Sequence, residues 1–223
     1  MKTRLLALGV ALAGAARASV VLPDSDSRWK AVADRLFSTV IEVHGQEAQD
    51  AVSHGSGVLI GNGLAITTLH AVTAPGADGR MLPLREVRVL VADVGPLDAR
   101  VIAGVPEIDL ALLLLPDRGA SLAGAPLAAE VPAEGDLLVA MGAGDESVTV
   151  RGVVVSAVNG DFFALTSKRV IDSRFWGGPL FDGDGRLVGI QLSSLVGSKA
   201  ISARVIQRLL DQRGLTLGRP APP

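Results

Sequence analysis

Three stretches of the chain carry residue types that can do chemistry. Gly55 to Val72 (GSGVLIGNGLAITTLHAV) brings His70 to the end of an apolar run. Glu107 to Leu115 (EIDLALLLL) puts Asp109 at the entrance of another. Asp172 to Ile190 (DSRFWGGPLFDGDGRLVGI) is rich in glycine and turn acids. An imidazole can take up and return a proton near neutral pH, and a carboxylate can hold it in one tautomer. Acyl transfer then also needs a hydroxyl or thiol for the pair to activate. The chain has no cysteine, which excludes a thiol nucleophile, a disulfide scaffold, a zinc-thiolate site and a lipidated N-terminal cysteine. His44 and His54, single histidines beside apolar strands, read as structural. Asp145, Glu146, Asp182 and Asp184 read as turn acids, because no loop has the Asp-x-Asp-x-Asp-Gly spacing of a calcium site. No metal and no cofactor is expected.

The elements that must position these residues are mostly short strands. A helix is predicted over Asp24 to Ser38, capped by Asp26 or Ser27, with Trp29, Val32, Ala33 and Leu36 on one face. From there the pattern changes. Thr39 to His44 alternates and is β-branched. Val58 to Ile60 and Ala65 to Thr68 flank Gly61-Asn62-Gly63, and Asn-Gly between apolar runs signals a hairpin. Val87 to Val91, Leu97 to Val105 and Leu110 to Leu115 complete a first block of strands. Leu137 to Met141, Val148 to Val158, Phe162 to Leu165, Leu187 to Leu192 and Lys199 to Ser202 form a second, with Asn159-Gly160 and Gly183-Asp184-Gly185 as turns. Ala203 to Gln212 reads as a closing helix, and the tail from Gly218 as loose. Two blocks joined near Gly119 to Pro132 predict an all-β fold of two packed six-stranded antiparallel β-barrels with short N- and C-terminal helices. The expected boundaries are 39–120 for the first barrel and 121–202 for the second. A helical segment at 19–38 precedes them, and the helix and tail at 203–223 follow.

Taken together and in this order, the three stretches resemble the chymotrypsin-like (trypsin-fold) serine endopeptidases, closest to the bacterial high-temperature-requirement branch. The resemblance runs from about Thr39 to Ile206. It rests on the GSG strand and hairpin leading to His70, on Asp109-Leu110-Ala111-Leu112, and on Gly177-Gly178-Pro179-Leu180. It implies a general-base position at His70 and an orienting position at Asp109. The chain shows no Ile-Val-Gly-Gly activation segment, which suits that branch, and the 21 residues after Ser202 are too few for the peptide-binding domain often appended there.

The third stretch departs from the family. Aligning Gly177-Gly178-Pro179-Leu180 puts Trp176 at the position of the nucleophilic serine and Arg174 at the glycine whose backbone N–H helps form the oxyanion hole. An indole has a donor N–H and no usable lone pair, so it forms no acyl-enzyme. Ser173, Thr67 and Thr68 are the nearest hydroxyls in sequence, and none holds the position facing the imidazole in the family. The expectation is therefore a catalytically inactive homologue, a pseudoprotease, that binds a peptide or protein partner in the former cleft with Trp176 as an anchor. Two alternatives stay open: an active serine endopeptidase with a displaced nucleophile, and a purely structural or assembly protein in which Trp176 only fills space.

The remaining features concern location and partners. Residues 1–18 (MKTRLLALGVALAGAARA) have a basic start, a 12-residue apolar run and an Ala-Arg-Ala end, the pattern of a secretory signal peptide. The run is shorter than the roughly 20 residues a bilayer requires. Cleavage near Ser19 leaves 18 basic residues against 23 acidic. The protein is expected to be exported, to the periplasm or outside the cell, with no integral membrane segment. Its 223 residues are 48% hydrophobic and 20% charged, which excludes disorder over most of the length. With a formal net charge of −2 and no basic block, nucleic acid is not an expected partner.

Overall fold

A computed structural model describes residues 27–46, 52–76, 78, 80–145, 147–167, 171–192 and 198–217. The predicted signal peptide at 1–18, Asp24 to Asp26, Glu146 and the tail from Gly218 lie outside the described residues. The chain enters through α1 (Ser27–Leu36), which buries Val32, Ala33 and Leu36, and a single 3-10 turn at Phe37–Thr39.

The first unit is built from β1 (Val40–Gln46), β2 (Val52–Gly61), β3 (Leu64–Thr68), β4 (Thr73–Pro75), β5 (Met81–Pro83), β6 (Glu86–Val91), β7 (Gly95–Asp98), β8 (Arg100–Val105) and β9 (Leu110–Leu114). The β2–β3 turn forms where Asn62 (φ 54°) and Gly63 (φ 72°) both take left-handed backbone, which Asn and Gly tolerate. Seven of these strands make one antiparallel sheet in the order β7-β6-β1-β2-β3-β9-β8, and β4 and β5 form a separate hairpin. The sequence pattern predicted a closed six-stranded barrel here, and the difference lies at one corner. Only Ala99 separates the edge strands β7 and β8. Its N–H still donates to Val87 O on β6 at 2.7 Å, while Arg100 already pairs with Leu114 on β9. One bent strand therefore joins both ends of the sheet, and the covalent chain closes the seam in place of a hydrogen-bonded ladder. Counted this way there are six strands, and Leu97 to Val105 is the single run that the sequence pattern marks.

After α2 (Asp117–Ala120), the second unit is a closed antiparallel barrel. It contains β10 (Leu137–Gly144), β11 (Ser147–Asn159), β12 (Phe162–Thr166), β13 (Pro179–Phe181), β14 (Leu187–Leu192) and β15 (Ser198–Ser202), in the order β10-β11-β12-β15-β14-β13. α3 (Ala203–Gln212) closes the chain with Ile206, Leu209 and Leu210 buried. Each barrel has its own interior. Ile41, Leu59 and Leu113 lie in the first, and Leu138, Phe163 and Leu180 in the second. A third cluster joins them, running from Val32 of α1 through Val58 and Ile66 to Met141, Ile190 and Ile206. This shared core holds the two barrels at a fixed separation, and the residues of interest converge at their junction. Among the described residues no helix is long and apolar enough to cross a membrane.

Candidate active site

His70 sits in a 3-10 turn, Leu69–Ala71, directly after β3. Leu69 and Ala71 are both buried in the first barrel's interior, so the turn is anchored on either side of the histidine. Thr73 Oγ1 donates to Leu69 O at 2.8 Å and pins the same turn.

Asp109 caps a second 3-10 turn, Pro106–Ile108, and takes a left-handed φ of 52°. That conformation is uncommon for a residue with a Cβ, though Asp tolerates it better than most. Both oxygens of its carboxylate are committed to His70. The His70 backbone N–H donates to Oδ1 at 2.9 Å, and ring Nδ1 lies 2.7 Å from Oδ2. A carboxylate only accepts, so Nδ1 carries the proton and the Nε2 lone pair faces the other way. Leu69 N–H donates to Asp109 O at 3.1 Å, tying the two turns together a third time. The sequence pattern placed these residues 39 apart, and the fold brings them into bidentate contact.

Beside the imidazole stands Trp176. The indole meets the imidazole edge to face, with ring centroids 5.8 Å apart and planes at 76°. Nε2 is buried and has no hydrogen-bond partner among the described residues. No described hydroxyl reaches it. Thr67 Oγ1 is spent on Ser56 O at 2.7 Å. Ser173 is exposed and faces a different cleft, whose lining does not include His70.

The turn that carries Trp176 is a short 3-10 segment, Ser173–Phe175, fixed from three sides. Phe175 is fully buried in the second barrel's interior. Ser56 of β2, itself fully buried, binds the turn from the first barrel. Its N–H donates to Trp176 O at 2.8 Å, its hydroxyl donates to Arg174 O, and the same oxygen accepts Ala143 N–H at 2.7 Å. Gly177 then turns with φ 80°, and a Cβ there would come within 2.2 Å of Ser56 O. Only glycine fits both the backbone angle and the space.

The backbone N–H of Arg174, at the position the alignment gives to the oxyanion hole, and that of Trp176, at the nucleophile position, are both engaged inside this turn. Arg174 N–H donates to Asp172 Oδ1 at 3.1 Å, and Trp176 N–H donates to Ser173 O at 3.1 Å. The Arg174 guanidinium also grips the Asp172 carboxylate, with Nη2 to Oδ2 at 2.7 Å and Nε to Oδ1 at 3.1 Å. The side-chain hydrogen bonds from Arg174 hold Asp172 below the ordinary carboxylate pKa, the backbone N–H adds to this, and partial burial opposes it. Arg174 is correspondingly raised. The sequence pattern singled out Arg174 and missed Asp172 and Ser56. An Asp two residues before a backbone N–H is an Asx-turn signal that points to Asp172. Nothing local marks Ser56, whose partners Ala143 and Arg174 lie 87 and 118 residues away.

Two antiparallel barrels that meet at a His–Asp pair, with a Gly-Gly-Pro-Leu turn facing it, define a trypsin-like architecture. Residues 55–190 match the family model of the trypsin-like peptidase domain, and the chain belongs to that family. The fold is shared with solved proteases. The Rv3671c protease of M. tuberculosis in its active form superposes with a TM-score of 0.71 at 18% identity, covering 97% of each chain. Its inactive form gives 0.66 at 19% identity, over 88% of this chain and 99% of that one. A serine endoprotease from Yersinia pestis gives 0.69 at 21% identity, over 86% of this chain and 67% of that one. No curated protein matches by sequence.

Proposed function

We propose that this chain is an exported, catalytically silent member of the trypsin-like peptidase family that holds an extended peptide or a protein partner at the barrel junction. One observation carries this reading. Trp176, which has no hydroxyl, occupies the position the alignment gives to the nucleophile, and its ring packs edge to face on the His70 imidazole with centroids 5.8 Å apart. His70 keeps the tautomer a general base needs, but among the described residues no hydroxyl is bonded to its Nε2. Oxyanion stabilisation needs donors aimed at one point 2.7–3.1 Å away, and the N–H groups of Arg174 and Trp176 are turned to Asp172 and Ser173 instead. Export rests on the signal-peptide pattern of residues 1–18.

A binding role is supported by a cleft on the Ser173–Arg174 side of this turn, whose lining includes neither His70 nor Trp176. It has a volume of about 350 Å³ and is lined in part by Gly144, Asp145, Ser173 and Arg174, a size that accommodates a few peptide side chains. Trp176 is half-buried and borders the imidazole, a suitable place for an aromatic anchor. A library of extended peptides screened against wild type and Trp176→Ala tests the role. Loss of a true anchor weakens binding by about 30-fold or more, the equivalent of about 2 kcal/mol. Equal binding by the two proteins contradicts the anchor role.

A further inference from the structure

Glu42, His44 and His54 form a cluster that the peptidase machinery does not use. Residues two apart on a strand face the same way, so Glu42 and His44 share one face of β1. His54 on β2 is the direct cross-strand partner of His44. The two imidazoles meet at 4.6 Å between centroids, with their planes at 77°. One ligand atom from each of the three residues lies within 4.8 Å of the other two.

Two features set this cluster apart from an ordinary surface group. Glu42 is only 8% exposed, between Ile41 and Val43, which are fully buried. His44 Nε2 is buried and lies 3.0 Å from Glu42 Oε1, yet the two do not align as a hydrogen bond, and the nitrogen has no other partner. Two potential ligand atoms thus lie side by side, at a spacing that one cation can share.

We infer that Glu42, His44 and His54 bind a single Zn²⁺ ion, with the fourth coordination position open to the cleft. Two imidazoles and one carboxylate are the donor set of an open zinc site. Calcium and magnesium ask for oxygen donors only. Ligand atoms at about 2.0–2.2 Å from tetrahedral zinc stand about 3.3 Å from one another. The Glu42–His44 edge, at 3.0 Å, is already close to that. His54 is exposed and free to turn its ring inward. All three residues line the same cleft as Ser173 and Arg174, so the open position takes water or a carboxylate or imidazole of a bound peptide. The inference stands whether or not the chain hydrolyses peptides.

The test uses the full chain stripped with EDTA and titrated with Zn²⁺ alone, followed by calorimetry. Cobalt substitution serves as a second readout, since tetrahedral Co²⁺ absorbs strongly in the visible. The expected result is one equivalent of Zn²⁺ per chain and a tetrahedral cobalt spectrum. Both should be lost, with affinity at least about 100-fold weaker, in His44→Gln and in His54→Asn. The exposed position of His54 keeps that second variant folded, as circular dichroism checks. Absence of stoichiometric uptake by wild type overturns the inference, and so does undiminished uptake by folded His54→Asn.

Discussion

On the proposed reading of a silent peptidase, returning a hydroxyl to position 176 separates the effect of the missing nucleophile from that of the misdirected oxyanion donors. Trp176→Ser supplies a hydroxyl at the position the alignment gives to the nucleophile, but it leaves the turn in place. Arg174 N–H still donates to Asp172 Oδ1, and the residue-176 N–H still donates to Ser173 O, each at 3.1 Å. One missing oxyanion donor costs about 10²–10³ in kcat. Both missing therefore cost up to about 10⁴–10⁶, near the roughly 10⁶ that follows from removing a serine nucleophile outright. Arg174→Gly acts on the hole twice, because it frees the backbone at 174 and removes the guanidinium that anchors Asp172. The double variant Arg174→Gly/Trp176→Ser is expected to cleave at least about 10²-fold faster than Trp176→Ser alone. Cleavage of a fluorogenic peptide library, normalised to the fraction of protein labelled by a fluorophosphonate, measures this ratio. Equal rates for the single and double variants refute the claim that the Asp172–Trp176 turn disables the hole.

Three further outcomes follow from the same contacts. Ser56→Ala strips Ala143 N–H of its buried acceptor and releases Arg174 O, so thermal unfolding should fall by about 1–3 kcal/mol, or roughly 2–12 °C. A shift below 1 °C contradicts the bridging role. Gly177→Ala meets both a φ of 80° and Ser56 O at 2.2 Å, and it should lose more stability than Ser56→Ala in the same scan. Asp172 has a folded pKa below its unfolded value of about 3.9, so its clamp on Arg174 stabilises above that pH and is lost as pH falls through the folded value. Both side chains are more than a third exposed, which limits the contribution to about 1 kcal/mol or less. Carbon-detected NMR titration should place the Asp172 midpoint below 3.9, and a midpoint at or above it contradicts the clamp.

Much of this architecture is legible in the sequence because local chemistry fixes it. The Asn62-Gly63 turn, the apolar runs of β3 and β9, and the α3 boundaries are each decided by a few neighbouring residues, and the strands appear where the pattern puts them. His70 and Asp109 are legible through their motifs. What escapes is set by distance along the chain. The β4–β5 hairpin has Pro75 and Pro83 at its ends and carries exposed Met81 and Leu82, so no alternation marks it. β13 is three residues long and begins with Pro179. The grip of Ser56 on the Arg174 turn depends on how the two barrels meet. The convergence of Glu42, His44 and His54 depends on the β1–β2 register, which composition cannot supply. His44 and His54 therefore look like ordinary strand histidines until the ladder is drawn.

The most direct measurement is covalent labelling of the wild-type chain with a fluorophosphonate, followed by intact-mass and peptide mapping. With Trp176 facing His70 and no hydroxyl bonded to Nε2 among the described residues, native protein should label no more than heat-denatured protein. Heat-sensitive, stoichiometric modification of any one serine or threonine contradicts the account.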